Sequence, residues 1–379
     1  MTEPSVYNLP TPSLLLDVNR MTRNIQDFEA RLGRLGVPLR PHVKTCKNFE
    51  LTRNMMPDNA PGITVSTLAE ADYFFSHGIE DQIYAVGIAP GKLDDVAERM
   101  DQGMRLKIIL DNTISAGFVA EAARRLGCRF EVLLEIDSDG QRGGFGPNDA
   151  ALIDAARELD AAGCRVLGVL THMGASYNCR SRKCLVEAAE HERSTALAAA
   201  QALRQAGFDS PMVSIGSTPT ARFAKTLDGI TEVRAGTYVF MDLVMAGLGV
   251  CKPEDIAISV LSEVIGHRLD AGEWLIDAGW MALSRDRGTA SQAIDYGYGR
   301  VCDDAGRLID DLVVRSTNQE HGIVADRHGR PLAADRFRIG QRLRILPNHC
   351  CATAASHAGY WLVGEDREPS RWLDRCSGW

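Results

Sequence analysis

The stretch Gln82 to Asp111, QIYAVGIAPGKLDDVAERMDQGMRLKIILD, decides the fold. It opens on an apolar run, QIYAVGIA, continues through Leu93 to Met100 with apolar residues at helical spacing, and closes on a second run, RLKIILD. Two short apolar runs flanking an amphipathic segment describe parallel strands buried on both faces and joined by a helix. The pattern repeats outward in both directions. VPLRPHVK and GITVST precede it, and RFEVLLEID, RVLGVLTHMG, PMVSIGST and EVRAGTYVF follow, with further helical segments at Arg23 to Leu35 and Glu187 to Gly207. Eight candidate strands alternating with helices predict a parallel (β/α)8 TIM barrel, an α/β architecture; an open doubly wound sheet is the alternative.

After residue 250 the texture changes. AISVLSEVIGHR, EWLIDAG, GYGRVCD, DLVVRSTNQEHGIVAD and QRLRILPNH are strands joined by polar turns such as DAGEW, DDAGR and DRHGRP, with little helical pattern. A second, mostly β domain is expected there. TPSLLLDV, near the N-terminus, reads as a strand outside the barrel alternation and is expected to join that β domain.

The chain has 379 residues, 45% hydrophobic and 24% charged, without an apolar run of the roughly 20 residues needed to span a bilayer. The first residues lack the basic and apolar regions of a signal peptide, so the cytoplasm is the expected compartment. Ten cysteines spread irregularly from Cys46 to Cys376 are expected as reduced thiols. A net charge of −8 without long basic runs argues against nucleic acid and anionic membranes as partners and leaves small molecules.

Two places concentrate chemistry. On a strand, Arg40, His42 and Lys44 would share one face at the C-terminal end of the first barrel strand, where barrels place active sites. A lysine there, partly desolvated among cations, becomes available as a free amine for a Schiff base; the plain reading is that Lys44 and Lys47 begin a solvated helix. Ser214 to Thr220, SIGSTPT, and the turn at Gly236, Thr237 and Tyr238 follow the last barrel strands, where barrels commonly bind phosphate. A Schiff-base lysine after the first strand with phosphate loops after the last describes a pyridoxal phosphate site. Glu135, Asp137 and Arg142, with His172 to Tyr177, end intervening strands and offer polar groups to the ring.

The second place is ILPNHCCAT, Ile345 to Thr353. It admits a vicinal disulfide, a core strand or a metal site. On a strand His349 and Cys351 would project together while Cys350 points away, and an imidazole with a thiolate suits Zn²⁺ with coordination positions left open.

Taken together, RPHVKTCK (40–47), EIDSDGQRGGFG (135–146), NQEHG (318–322) and PNHCCAT (347–353) resemble the signatures of the fold-type III pyridoxal phosphate enzymes typified by eukaryotic-type D-serine dehydratase and D-threonine aldolase. GITVSTLAEA, SIGSTPTA, EVRAGTYVFMDLV, DAGWMALSRDRGTA and DYGYG extend the resemblance over nearly the whole chain. It implies an alanine-racemase-like fold: a barrel over residues 20–248 and a β domain from residues 1–19 and 249–379. It also implies a homodimer and a D-3-hydroxy amino acid as substrate. By motif, Lys44 would carry the Schiff base and act as base, and Gly216, Ser217, Thr218, Gly236 and Tyr238 would hold the phosphate. Arg142 would lie near the ring hydroxyl and Tyr177 near the pyridine nitrogen. His349 and Cys351 would bind a divalent metal, Zn, Mn, Co or Mg, and the cysteine favours dehydration over aldol cleavage, because the aldolases carry aspartate there. Cys350 departs from the usual alanine. His321 has two readings, a substrate contact or a buried structural histidine. A metal-dependent aldolase on the same scaffold, a non-catalytic cofactor carrier and a racemase are the competing functions.

Overall fold

Continuous apolar runs become barrel strands because both their faces are covered. In the computed structural model, which describes residues 5–364 and 369–379, the chain opens with strand β1 (Ser13–Asp17) and helix α1 (Val18–Arg34). Eight strands follow: β2 (Leu39–Pro41), β3 (Ile63–Val65), β4 (Asp81–Gly87), β5 (Arg105–Leu110), β6 (Glu131–Ile136), β7 (Arg165–Thr171), β8 (Met212–Ile215) and β9 (Glu232–Ala235). They alternate with helices α2 (Phe49–Met55), α3 (Leu68–Ser76), α4 (Leu93–Asp101), α5 (Thr113–Leu126), α6 (Ala150–Ala161), α7 (Arg182–Gln205) and α8 (Thr218–Phe223). The sheet runs β2-β9-β8-β7-β6-β5-β4-β3, every pair parallel, and β2 meets β3 through the single bridge from His42 to Thr64, which nearly closes the barrel. All eight expected strands are present.

Local signals set the helix starts. Asn48, Thr67, Asn112, Asp149 and Ser181 each cap a helix with a side-chain oxygen that accepts a backbone N–H, worth about 1 kcal/mol apiece. The runs behind them are buried, as in Ile108, Ile109 and Leu110 of β5 and Val132, Leu133 and Leu134 of β6.

The eight remaining strands join β1 in one nine-stranded, largely antiparallel sheet. They are β10 (Ile258–Arg268), β11 (Glu273–Ile276), β12 (Arg300–Cys302), β13 (Leu308–Thr317), β14 (Gly322–Asp326), β15 (Arg342–Leu346), β16 (Gly359–Val363) and β17 (Pro369–Asp374). Their order is β11-β14-β13-β12-β15-β10-β1-β16-β17, with β11 also paired to β10. The expected donation of the N-terminal strand is therefore present: β1 runs antiparallel to β10 and parallel to β16. Short helices α9 (Leu243–Gly247), α10 (Trp280–Leu283) and α11 (Cys350–Ala355) interrupt this part of the chain.

The chain divides into two compact units, Met1–Asp27 with Thr237–Arg375, and Phe28–Gly236 with Cys376–Trp379. The chain passes between them after Asp27 and after Gly236. No helix among the described residues is long and apolar enough to cross a membrane.

One expectation is overturned outright. Cys179 is disulfide-bonded to Cys184, while the other eight cysteines are free, so the chain does not carry ten reduced thiols. The turn after β7 delivers Cys179 just before the first turn of α7, at a Cα–Cα separation of 5.5 Å that a disulfide spans.

Candidate active site

The barrel unit gathers its chemistry at the C-terminal ends of its strands. The strand expected over residues 40–44 is shorter: β2 ends at Pro41, so Arg40 and Lys44 do not share a face. Arg40 is buried and donates to Glu232 Oε2 (2.8 Å) and Asp81 Oδ1 (2.7 Å). Lys44 instead lies in the turn before α2 with an exposed side chain, rather than partly desolvated. Nor does Lys44 begin a helix, since α2 starts at Phe49 behind its Asn48 cap, and Lys47 is paired with Glu70 at 3.0 Å.

Around Lys44 the field is positive. Burial pushes the His42 imidazole far below its usual range, and the charges of Lys44 and Arg234 push it the same way. His172 is pushed down to about 3 by burial, against the hydrogen bond from its Nδ1 to Gly216 O (2.8 Å), with Arg142, Lys44 and Arg234 adding to the fall. Arg234 is buried and donates to Ser214 Oγ (2.7 Å) and Thr171 O (2.7 Å). Burial raises the Glu135 carboxyl, with Arg234 and Arg142 opposing. Tyr177 stands on the turn after β7, its ring centroid 6.3 Å from that of His172.

The loops after β8 and β9 approach backbone closely. Gly216 has φ +139°, and a Cβ there would sit 2.2 Å from Arg234 O; a Cβ on Gly236 would sit 2.8 Å from both His42 O and Thr45 Oγ1. Ser217 caps α8, accepting from Thr220 N (3.2 Å), and Thr218 is the first residue of that helix. Gly216 N donates to Glu192 Oε1 (3.3 Å) and Ser217 N to Thr220 Oγ1 (3.2 Å). Tyr238, two residues beyond Gly236, is buried within the β unit.

In the β unit the strand expected through His349 and Cys351 ends earlier. β15 stops at Leu346; Pro347 and Asn348 turn the chain, and His349 becomes the N-cap residue of α11. The two side chains still meet, because a cap residue and the second helical residue lie within one tight turn: His349 and Cys351 are hydrogen-bonded to each other. Two carboxylates that the sequence reading missed complete the setting. Asp286 Oδ2 lies 2.5 Å from His349 Nδ1, and buried Asp242 accepts from Cys350 N (3.0 Å) and Met245 N (2.9 Å). Burial lowers the His349 pKa, but Asp286, Cys351 and Asp242 outweigh it and raise it to about 11. No group of three or more His, Cys, Asp or Glu side chains is placed to hold one ion among the described residues. His321, on the turn between β13 and β14, is exposed, which rules out the buried structural reading.

Comparison with known proteins matches this layout. A family profile described as alanine racemase, N-terminal domain, covers residues 16–244, and one described as putative serine dehydratase domain covers residues 257–363. The chain is 48% identical to D-threo-3-hydroxyaspartate dehydratase of Delftia sp. (strain HT23), with 100% of each chain covered. It belongs to the fold-type III pyridoxal phosphate enzymes of the D-serine dehydratase and D-threonine aldolase family. D-serine dehydratase of Dictyostelium discoideum is 30% identical, over 96% of this chain and 95% of that one. Among solved structures, a cysteine-to-alanine mutant of D-threo-3-hydroxyaspartate dehydratase in the metal-free form matches with a TM-score of 0.96 at 48% identity, covering 99% of this chain and 100% of that chain.

As a member of this family, the chain is a lyase whose relatives use pyridoxal phosphate and a metal ion. Its residues fit both groups. An anionic cofactor suits a strand-end surface where Lys44, Arg142 and Arg234 gather around His172, and Nδ1 of His42 is buried without a hydrogen-bond partner among the described residues. A divalent cation suits the surroundings of His349, where the Asp286 carboxylate takes Nδ1 and the Cys351 thiol and the Asp242 carboxylate lie close by.

Proposed function

We propose that this enzyme is a pyridoxal phosphate- and metal-dependent dehydratase that converts D-threo-3-hydroxyaspartate to oxaloacetate and ammonia. The observation that carries the reading is the His349–Cys351 pair backed by Asp286, in a chain 48% identical throughout to a dehydratase of that substrate. A thiolate beside an imidazole favours a softer ion such as Zn²⁺ over Mg²⁺.

When bound, pyridoxal phosphate draws electrons from the substrate Cα and the metal stabilises the departing hydroxide. Lys44 Nζ, exposed beside His42, would anchor the cofactor and, as a free amine, would take the Cα proton. Gly216, Ser217, Thr218, Gly236 and Tyr238 hold the phosphate, at turns where backbone approaches too closely for a side chain at Gly216 or Gly236. Arg142 would lie near the ring hydroxyl of the cofactor and Tyr177 near its ring nitrogen. His172 and His42 stay neutral through the working pH range, so the guanidiniums of Arg142 and Arg234 set the local charge. His349 and Cys351 would hold the ion, which would stabilise the departing hydroxide, and His321, open on its turn, would contact the substrate. Water completes the reaction by hydrolysing the eliminated enamine.

The proposal extends to a cofactor-binding domain over residues 20–248, a metal-bearing β domain over residues 1–19 and 249–379, a homodimer and a cytoplasmic location. Replacing Lys44 with Ala should abolish the covalent cofactor's absorption band together with turnover. Replacing Cys351 with Ala should keep that band and cut turnover by roughly 100-fold or more, the several kcal/mol a Lewis acid supplies. Near-normal turnover in metal-free Cys351→Ala protein would remove the metal from the mechanism.

A further inference from the structure

We propose that Asp286 is the positioning residue of the metal site, fixing the tautomer and orientation of His349 so that the ring offers Nε2 to the ion. The inference rests on the reading of His349 and Cys351 as metal ligands. A neutral imidazole has one N–H and one lone pair, and a carboxylate can only accept. With Asp286 Oδ2 2.5 Å from Nδ1, the ring proton is held at Nδ1 and the lone pair is left on Nε2. Metal-bound histidines commonly have such a partner, which also makes the ring a stronger donor.

The carboxylate is well placed for this task because its own segment is fixed. Asp286 N donates to Ser284 Oγ (3.1 Å), and Asp286 O accepts from Asn348 Nδ2 (3.3 Å). Asn348, buried and immediately before His349, also donates to Gly297 O (2.7 Å) and accepts from Thr289 Oγ1 (3.1 Å). The loop that carries the carboxylate and the turn that carries the imidazole are thus tied together twice, through Asn348 and through the Asp286–His349 bond.

The route into the loop is also unusual. Ser284 has φ +71°, a left-handed conformation that costs a non-glycine residue free energy and persists only where its surroundings impose it. The neighbouring guanidiniums do not compete for Asp286. Arg287 pairs with Asp295 (2.5 Å) and Arg285 lies over the Trp280 ring (3.9 Å). At the other end of the turn, Asp242 anchors Cys350 N, so His349 and Cys351 are held from both sides.

The test is Zn²⁺ affinity, measured by chelator competition on the full-length, pyridoxal phosphate-loaded protein and its Asp286→Asn, Asp286→Ala and His349→Ala variants. Asp286→Ala should weaken Zn²⁺ binding by about 10–100-fold, and Asp286→Asn, whose amide oxygen still accepts from Nδ1–H, by less. The thiolate-to-metal absorption of the Co²⁺-loaded protein should shift in Asp286→Ala, while the cofactor band and unfolding midpoint stay unchanged, a combination that loss of packing alone would not produce. Zn²⁺ binding within about twofold of the unmodified protein in both Asp286 variants, with binding lost in His349→Ala, would overturn the role of Asp286 and leave the metal site standing. Retained binding in His349→Ala would overturn the metal-site reading and this inference with it. Should Asp286→Ala fail to fold, Asp286→Leu, which fills the space but accepts no hydrogen bond, decides on the same two measurements.

Discussion

His172 is a base that the folded chain keeps unprotonated. Its pKa is pushed to about 3 by burial, with Arg142, Lys44 and Arg234 adding to the fall, whereas an unfolded histidine titrates near about 6.5. Between those values the unfolded state binds the extra proton, so the stability His172 contributes is complete above about pH 6.5 and is lost as pH falls towards 3. Urea midpoints taken at about pH 7 and about pH 5 should therefore differ less in His172→Asn than in the unmodified chain; equal slopes would contradict the shift. Single residues were unevenly legible. Lys44, His349 and Cys351 sit in short motifs whose residue types carry their chemistry. Asp286 and Asp242 do not, because each acts on the 349–351 turn from 63 and 108 residues away, and nothing local to an aspartate announces a distant partner.

Elements were legible where their burial leaves a pattern. Most barrel strands, such as β5 to β7, carry runs of consecutive apolar residues, and β1 betrays itself by standing outside the alternation. The misreadings came from short elements. β2 has three residues and α11 six, too few for a period to show, so the sequence alone reads both Arg40 to Lys44 and His349 to Cys351 as strands. The Cys179–Cys184 bond escapes a sequence reading because the irregular spacing of the ten cysteines singles out no pair. Protein prepared without reductant should show eight titratable thiols after denaturation and ten after reduction; ten in both would mean the pair is a dithiol. The β8–α8 turn makes a sharper demand. Gly216→Ala puts a Cβ 2.2 Å from Arg234 O at φ +139°, and should lower cofactor affinity and thermal stability together. Unaltered cofactor binding in the Gly216→Ala protein would contradict the assignment of that turn to the phosphate.

For the molecule as a whole, the barrel interior is polar as well as apolar. Arg40 links Glu232 to Asp81, Asp81 also holds Lys107 (2.8 Å), and Glu232 accepts from Ser214 Oγ (2.6 Å) beside Arg234. Removing Arg40 leaves the buried Glu232 carboxylate without its main partner, so Arg40→Ala should cost about 3–5 kcal/mol in equilibrium unfolding, well beyond the loss of an exposed pair. A cost below about 1 kcal/mol would mean the network is hydrated rather than dry. The two-unit architecture was readable because its halves have different periodicities, helical segments between buried runs and then turn-linked strands. What the halves do chemically rests on two motifs lying in different units, Lys44 in one and His349 with Cys351 in the other.

The most direct test of the dehydratase reading is product analysis of the pyridoxal phosphate-loaded protein incubated with D-threo-3-hydroxyaspartate, with and without EDTA. Oxaloacetate and ammonia in equal amounts, formed without EDTA and lost with it, are the predicted result. Glyoxylate and glycine would identify an aldolase instead and contradict the assignment of Cys351 to dehydration.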